Sequence, residues 1–200
     1  MKLIFGALFL LTTSFTTPQR TKLTIGQASD SKQAIFDVEA IKKQLSDIYE
    51  RDQKTRTGKD STDFMSYIDS CNLIQVEEII TKYGWLGKSV IGNKANVALF
   101  LIIQHSELSV QEKYLPLLEE SVSKGESRAT DMALLKDRVL MRQGKKQLYG
   151  SQVVYSKTGE QIFYQIEDEK NVNKRRKAVG LEPIEEYAKF FGIEYKAPIE

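Results

Sequence analysis

The stretch that most restricts the fold places two charged residues among apolar ones on a helical pattern. Between Met132 and Gln143, the residues Asp137 and Arg138 have alanine, leucine and methionine side chains one helical turn away. Both charged side chains are therefore predicted to face the protein interior. A buried ion is costly unless it is paired and hydrogen-bonded, so we expect polar partners for both residues elsewhere in the chain.

The first residues of the chain have the pattern of a secretory signal peptide. Lys2 precedes the apolar run Leu3–Leu11, which is too short to cross a bilayer comfortably, and small hydroxyl residues follow it. We expect residues 1–17 to be a signal peptide that is cut near Ser14–Gln19. The protein is then periplasmic or secreted, with no stable membrane insertion after cleavage. An uncleaved N-terminal membrane anchor is the alternative.

The charge of the exported chain argues against a nucleic-acid partner. The formal net charge is +2. Loss of Lys2, together with Arg20 if the cut or later trimming falls after it, brings the charge to zero because residues 1–20 contain no acidic residue. A neutral chain has no electrostatic basis for binding nucleic acid. The expected partner is an unknown small molecule or peptide.

Length and hydrophobic pattern predict a mainly α fold. Two hundred residues suit one globular domain. We expect a single helical domain over residues 32–192, with one small β-hairpin near the C-terminal third, a flexible leader at 18–31 and a C-terminal tail at 193–200. The run Val97–Ile103 is apolar on every side, which predicts a buried central helix and leaves a buried strand as the alternative.

Helix-end signals and periodicity set the predicted bounds of the elements. Asp30 or Ser31 suits the N-cap of the first helix, Ser109–Glu112 has the spacing of a capping box, and Gly84 and Gly144 are expected to stop helices. The predicted elements are helices at 32–56, 64–83, 93–105, 109–124, 130–143, 171–179 and 183–191, and a hairpin of 153–155 with 162–166.

The chain has a single histidine, His105, at the predicted end of the central helix. Imidazole is the side chain whose unperturbed pKa suits acid–base chemistry near neutrality. We expect His105 to be the catalytic acid–base group, with Asp137 holding one ring nitrogen while the other faces a substrate. The alternative is a histidine that is simply hydrogen-bonded at a helix end.

Polar residues around these two form the predicted ligand site. Arg138 either binds an anionic group or forms a structural pair with Asp52 or Glu50. Gln147, Tyr149 and Gln152 follow a helix stop, where loop side chains commonly enter a cleft, although plain turn chemistry also explains them. The candidate substrate-binding residues are Arg138, Gln104, Gln147, Tyr149, Gln152, Arg176, Asp52 and Gln53.

A metal site and a cofactor are not expected. The chain has one histidine and one cysteine, far apart in sequence, and no ligand spacing such as His-Glu-x-x-His. Cys71 cannot form an internal disulfide and is predicted to be a small core residue.

Several polar motifs follow one another from about Ile35 to Tyr187. They are Asp52-Gln53 with Arg56, Gly84-Trp85, Gln104-His105, Asp137-Arg138-Val139, Gln147 with Tyr149-Gly150-Ser151-Gln152, Asn173 with Arg175-Arg176, and Gly180-Leu181 with Tyr187. Their order and spacing resemble a bacterial family, catalogued as domain of unknown function 6624. In that family the tryptophan turn often reads Gly-Trp-Pro and the later motif Tyr-Gly-Thr-Gln, from which Leu86 and Ser151 depart. The resemblance implies no known activity, fold or cofactor.

Two functional hypotheses follow from the sequence. The first is an exported enzyme that uses His105 on a small molecule or peptide. The second is a non-catalytic binding or structural domain whose buried ion network only fixes the fold. They differ in whether His105 reaches solvent and whether the buried charges have structural partners.

Overall fold

The computed structural model describes residues 37–58 and 61–198. The predicted signal peptide and leader lie outside these residues. The described part confirms a mainly helical fold with one small antiparallel hairpin. Its elements are α1 (Val38–Thr57), α2 (Thr62–Tyr83), α3 (Lys88–His105), α4 (Leu108–Ser123), α5 (Ala129–Arg142), β1 (Val153–Tyr155), β2 (Gln161–Phe163), a 3₁₀ turn (Glu169–Asn171), α6 (Val172–Ala178) and α7 (Ile184–Lys189).

Helix α3 is the centre of the fold and packs against α1, α2, α4 and α5. Its residues Ala98, Leu99 and Ile103 have no exposed surface. Burying each large aliphatic side chain contributes about 1.5–3 kcal/mol. Gly92 has a φ of 79°, which kinks α3 there, so the regular buried helix begins near the predicted position. The all-round apolar run is thus a helix and not a strand.

Two predicted helix starts are wrong. Helix α1 begins at Val38, where the Asp37 side chain accepts a hydrogen bond from the amide of Ala40 at 3.1 Å, so Asp37 is the N-cap. Helix α4 has Glu107 as its N-cap with no side-chain cap bond, so the capping box expected at Ser109–Glu112 does not form. That helix already starts at Leu108, and the predicted cap residue lies inside its first turn.

The turn between α2 and α3 is fixed by polar contacts to its tryptophan and backbone. The indole Nε1 of Trp85 donates to Ser127 at 3.1 Å, and Asn96 donates from its side chain to the carbonyl of Leu86 at 2.8 Å. Ser127 also bonds Ser121 at 2.8 Å. These contacts tie the start of α3 to the connection between α4 and α5, and so fix the position of the central helix.

The C-terminal elements form a smaller layer with its own apolar cluster. Ile166, Val172 and Ile184 are buried together, and the partly buried Phe163 and Tyr195 pack against them. This layer supports the loop from residue 147 to residue 152, which connects α5 to the hairpin.

Two further features of the described part bear on the sequence predictions. Cys71 on α2 is only partly buried, so it is not the core residue expected. No helix in the described ranges is long and apolar enough to cross a bilayer.

Candidate functional site

The Asp137 carboxylate holds the loop from residue 147 to residue 152 by its backbone amides. It has no exposed surface. Its two oxygens accept hydrogen bonds from the N–H groups of Leu148 at 2.7 Å, Tyr149 at 3.0 and 3.1 Å, and Ser151 at 3.0 Å. The prediction that Asp137 faces inward and has partners is confirmed, and those partners are backbone amides.

Two arginines of α6 hold the same loop by its carbonyl groups. Arg175 donates from Nε to the carbonyl of Leu148 at 2.7 Å, and Arg176 donates from Nη1 to the carbonyl of Tyr149 at 2.7 Å. Asp137 and these arginines therefore bind the same two residues, Leu148 and Tyr149: Asp137 binds their N–H groups and the arginines bind their carbonyl groups. We call Asp137, Arg175, Arg176 and the loop they hold the loop clamp.

Gln147 completes the loop clamp. Gln147 has no exposed surface, and its amide nitrogen donates to the carbonyls of Gln152 at 3.0 Å and Tyr164 at 2.7 Å. Its side-chain oxygen accepts the backbone N–H of Gln152 at 2.8 Å. All polar atoms of this side chain are thus satisfied by backbone. The geometry gives Gln147 a structural role, in line with the turn-chemistry alternative.

Arg176 and Tyr149, both predicted to bind substrate, also lie in the clamp. Arg176 is 1% exposed and lies under the ring of Tyr187, with its guanidinium carbon 4.9 Å from the ring centroid. Burial lowers the pKa of Arg176, while the Tyr187, Glu182 and Asp137 charges oppose the shift. Tyr149 contributes both its amide and its carbonyl to the clamp. Arg176 thus uses its Nε and Nη1 on the carbonyl groups of Glu182 and Tyr149.

The imidazole of His105 contacts Asp52, which corrects the expected pairing. Nδ1 of His105 lies 3.0 Å from Oδ1 of Asp52, and Asp52 has no exposed side-chain surface. Asp137 cannot serve the ring, because its oxygens are taken by three amides of the loop clamp. The predicted His105–Asp137 pair is therefore wrong, and the acid that orients the ring comes from α1.

Asp52 is the centre of a polar group that we call the imidazole cluster: Asp52, Gln53, Arg56, Asp69 and His105. Gln53 donates to Oδ2 of Asp52 at 2.9 Å, and Arg56 lies 3.0 Å from Oδ1. Burial raises the pKa of Asp52, but the bonds and charges of His105 and Arg56 outweigh it, so the net pKa lies below its usual value. Asp52 is therefore an ionised acceptor at neutral pH.

The cluster has the ligand types of a metal site but a cation already lies in it. Possible ligand atoms of Asp52, Asp69 and His105 all lie within 4.8 Å of one another. Arg56 Nη2, however, is 3.0 Å from one carboxylate and 2.7 Å from the other. A divalent ion between these carboxylates would meet that positive charge, so the donor set fits a guanidinium better than a metal.

Arg138 lies between the loop clamp and helix α3 and has no carboxylate partner among the described residues. Its Nε donates to Oε1 of Gln152 at 3.1 Å, and its Nη1 donates to the carbonyl of Gln104 at 3.1 Å. The expected pair with Asp52 or Glu50 does not form, because Asp52 binds Arg56 and Glu50 binds Lys94. Arg138 thus joins the loop clamp to the C-terminal end of α3.

Two cavities in the described ranges lie away from these residues. One, of about 450 Å³, is lined by the hairpin and the segment after α7, including Ile162, Phe191 and Glu194. The other, of about 460 Å³, lies beside Glu185 and Tyr195.

Sequence reasoning missed two residues of the site. Asp69 is absent from the predicted site, yet it binds Arg56 at 2.7 Å. Arg175 is also absent from the predicted site, yet it binds the loop backbone. The sequence signal that could have identified Arg175 was its place in the motif Asn173 with Arg175-Arg176, directly beside the predicted site residue Arg176.

No curated protein and no solved structure matches this chain significantly. Residues 33–198 match a family described as a family of unknown function, DUF6624. This range contains the whole loop clamp, the whole imidazole cluster and Arg138. The chain belongs to the DUF6624 family.

Proposed function

We propose that the protein binds a small polar molecule at His105 and that this imidazole acts on it as a general acid–base group. The observation that carries the proposal is the arrangement of the ring. Nδ1 is held by the buried Asp52, Nε2 has no hydrogen-bond partner among the described residues, and the side chain is 19% exposed.

The contact with Asp52 selects the form of the ring that such chemistry needs. An ionised carboxylate can only accept a hydrogen bond, so Nδ1 donates the proton. In the neutral ring the lone pair then lies on Nε2, on the opposite side from Asp52. A base in this position can take a proton from a bound hydroxyl or water and return it to a leaving group. Such catalysis typically contributes about 10²–10⁴-fold in rate.

A second candidate function is a binding or structural domain without chemistry. The observation that favours it is the loop clamp, in which Asp137, Gln147 and Arg176 bind only other parts of the chain. The two candidates make different demands on His105. A structural histidine does not need a reactive Nε2, whereas a catalytic one does.

The site of action proposed for this chemistry is outside the cytoplasm. The apolar run Leu3–Leu11 after Lys2 supports export. Cell fractionation of the full chain, compared with a variant that lacks residues 1–17, tests this proposal. Equal distribution of the two proteins would contradict it.

The test of the acid–base proposal uses the fact that the chain has one histidine. Diethyl pyrocarbonate acylates an accessible unprotonated imidazole nitrogen, and peptide mass spectrometry locates the product. We expect rapid modification of His105 in the folded protein. Protection in the folded state that is lost on unfolding would refute the proposal.

Activity gives the second readout. The mature protein is assayed on a panel of small esters, amides, phosphate esters and peptides, alongside His105→Gln and the control Lys136→Gln. Lys136 lies on α5 and binds Glu119 at 2.8 Å, outside both polar groups. We expect His105→Gln to lose about 10²-fold or more of any activity found while the melting temperature stays close to that of the control. Equal activity in the two variants would contradict the acid–base role.

A further inference from the structure

We propose that the ligand of this site carries an oxyanion, a phosphate or a carboxylate, and that the guanidinium of Arg138 binds it. This inference rests on the proposed function in one respect, that the ligand lies at His105. It adds the chemical class of the ligand and the residue that recognises it.

Arg138 is partly buried, and some of its N–H donors make no hydrogen bond within the described ranges. Its two hydrogen bonds, to the Gln152 side chain and the Gln104 carbonyl, go to neutral oxygens. Its Nη2 has no hydrogen-bond partner within the described ranges. Arginine presents its donors as a planar fork that fits two oxygens of a carboxylate or phosphate. The fork of Arg138 is therefore only partly used.

The charge of Arg138 is not balanced by an acid among the described residues. Burial lowers the pKa of its guanidinium, the positive charges of Arg142 and Arg56 lower it further, and Tyr187 opposes the shift. The carboxylates of the imidazole cluster, Asp52 and Asp69, both bind Arg56. A partly buried cation without a carboxylate partner is in an unfavourable arrangement unless an anion is added.

The end of helix α3 offsets only part of this charge. A helix C-terminus is equivalent to roughly half a negative charge. That half charge is shared, because Arg142 also donates to the carbonyl of Ser106 at 2.7 Å while Arg138 donates to that of Gln104. Two guanidinium groups at one helix end leave a positive excess.

Arg176 is a buried arginine of the same protein whose positive charge is offset by carboxylates. It also donates only to carbonyl groups, yet the negative charges of Glu182, Asp137 and Glu185 all favour its charged form. Among the described residues, no carboxylate has a comparable influence on Arg138. The difference identifies Arg138, and not Arg176, as the anion-binding arginine.

The position of Arg138 relates the anion to the imidazole. Its Nη1 binds the carbonyl of Gln104, the residue that precedes His105, so both groups lie at the C-terminal end of α3. The side chain of Gln104, in a residue that is 6% exposed, has an oxygen without a donor among the described residues. This end of the helix therefore has an unused acceptor as well as unused donors. An anchored oxyanion would hold the rest of a small ligand beside Nε2.

The inference is tested with inorganic phosphate and acetate as probes on the mature full chain, at matched ionic strength in chloride. Arginine Nε signals are followed in ¹H–¹⁵N spectra, and affinities are measured by calorimetry. We expect phosphate or acetate to shift the Arg138 signal in a saturable way. Phosphate alone, acetate alone or both would each support the inference and name the class of oxyanion. No saturable shift with either probe would overturn it.

Three variants assign the site. Arg138→Gln should weaken binding of the effective probe by about tenfold or more, the loss expected for a charge-assisted bidentate contact. The control Lys136→Gln removes one positive charge from the same helix and should bind as the wild type does. Unchanged binding in Arg138→Gln would overturn the inference. If this variant does not fold, the wild-type Arg138 signal decides alone.

The third variant separates this inference from the proposed function. His105→Gln keeps Arg138 and should bind the probe with unchanged affinity. Probe binding at Arg138 together with an unreactive His105 would mean that the anion site is right and the acid–base role is wrong. A reactive His105 with no probe binding at Arg138 would mean the reverse.

Discussion

Replacement of Asp137 by alanine should be among the most destabilising single changes in this protein. The substitution removes an acceptor that serves the N–H groups of Leu148, Tyr149 and Ser151. A buried N–H group left without an acceptor costs about 1–3 kcal/mol. Removal of the buried charge recovers part of this cost, since burial raises the pKa of Asp137 more than the amides lower it. We expect a net loss of about 3–5 kcal/mol in the free energy of unfolding, as for breaking a buried pair.

The assay is urea denaturation with a parallel thermal scan. For a domain of this size, each kcal/mol shifts the melting temperature by about 2–4 °C, so the expected fall is about 6–20 °C. The matched control is Asp47→Ala, because Asp47 makes an exposed pair with Lys43 on α1 and should change the free energy of unfolding by less than about 1 kcal/mol. A loss for Asp137→Ala no larger than that of the control would refute the loop clamp.

Two further predictions concern the loop glycine and the acid side of the stability curve. Gly150 and Gly144 have φ values of 66° and 71°, but a Cβ at Gly150 would meet two isoleucine side chains whereas one at Gly144 would meet nothing within 4 Å. In chemical denaturation, Gly144→Ala should cost about 1–2 kcal/mol and Gly150→Ala clearly more, and equal losses would contradict the close packing of the loop. Since His105 and Arg56 lower the folded-state pKa of Asp52, the stabilisation from this carboxylate is present above 3.8 and is lost as the pH falls through its lower folded value. Unfolding curves measured from pH 6 downward should therefore show the advantage of the wild type over Asp52→Asn shrinking below pH 3.8, and a constant difference would contradict that pKa direction.

The sequence was sufficient for the fold class because the signals concerned are local. The apolar run of α3, the three- and four-residue spacing of α1 and the glycines after α2 and α5 each depend only on neighbouring residues. Helix starts were less predictable, since several polar residues near each start could cap it. In α4, Glu107 has the N-cap position although Ser109 has better cap chemistry, because the helix begins two residues earlier than the motif requires.

The partners within the site could be predicted only in part. The pattern around Asp137 correctly indicated a buried charge, because that depends on the residues one turn away. It could not identify the backbone N–H groups that donate to Asp137, because every residue except proline has such a group and the sequence does not show which ones face the carboxylate. Asp52 and Asp137 are both acids that could reach His105, and only the packing of α1 against α3 decides between them.

The central claim is that Asp52 holds Nδ1 of the only imidazole and leaves Nε2 as the free base. A long-range ¹H–¹⁵N spectrum of the mature protein, taken at alkaline pH, reports directly which ring nitrogen carries the proton. We predict a protonated Nδ1 and an unprotonated Nε2 in the wild type, with loss of this preference in Asp52→Asn. A proton on Nε2 in the wild type would contradict the claim.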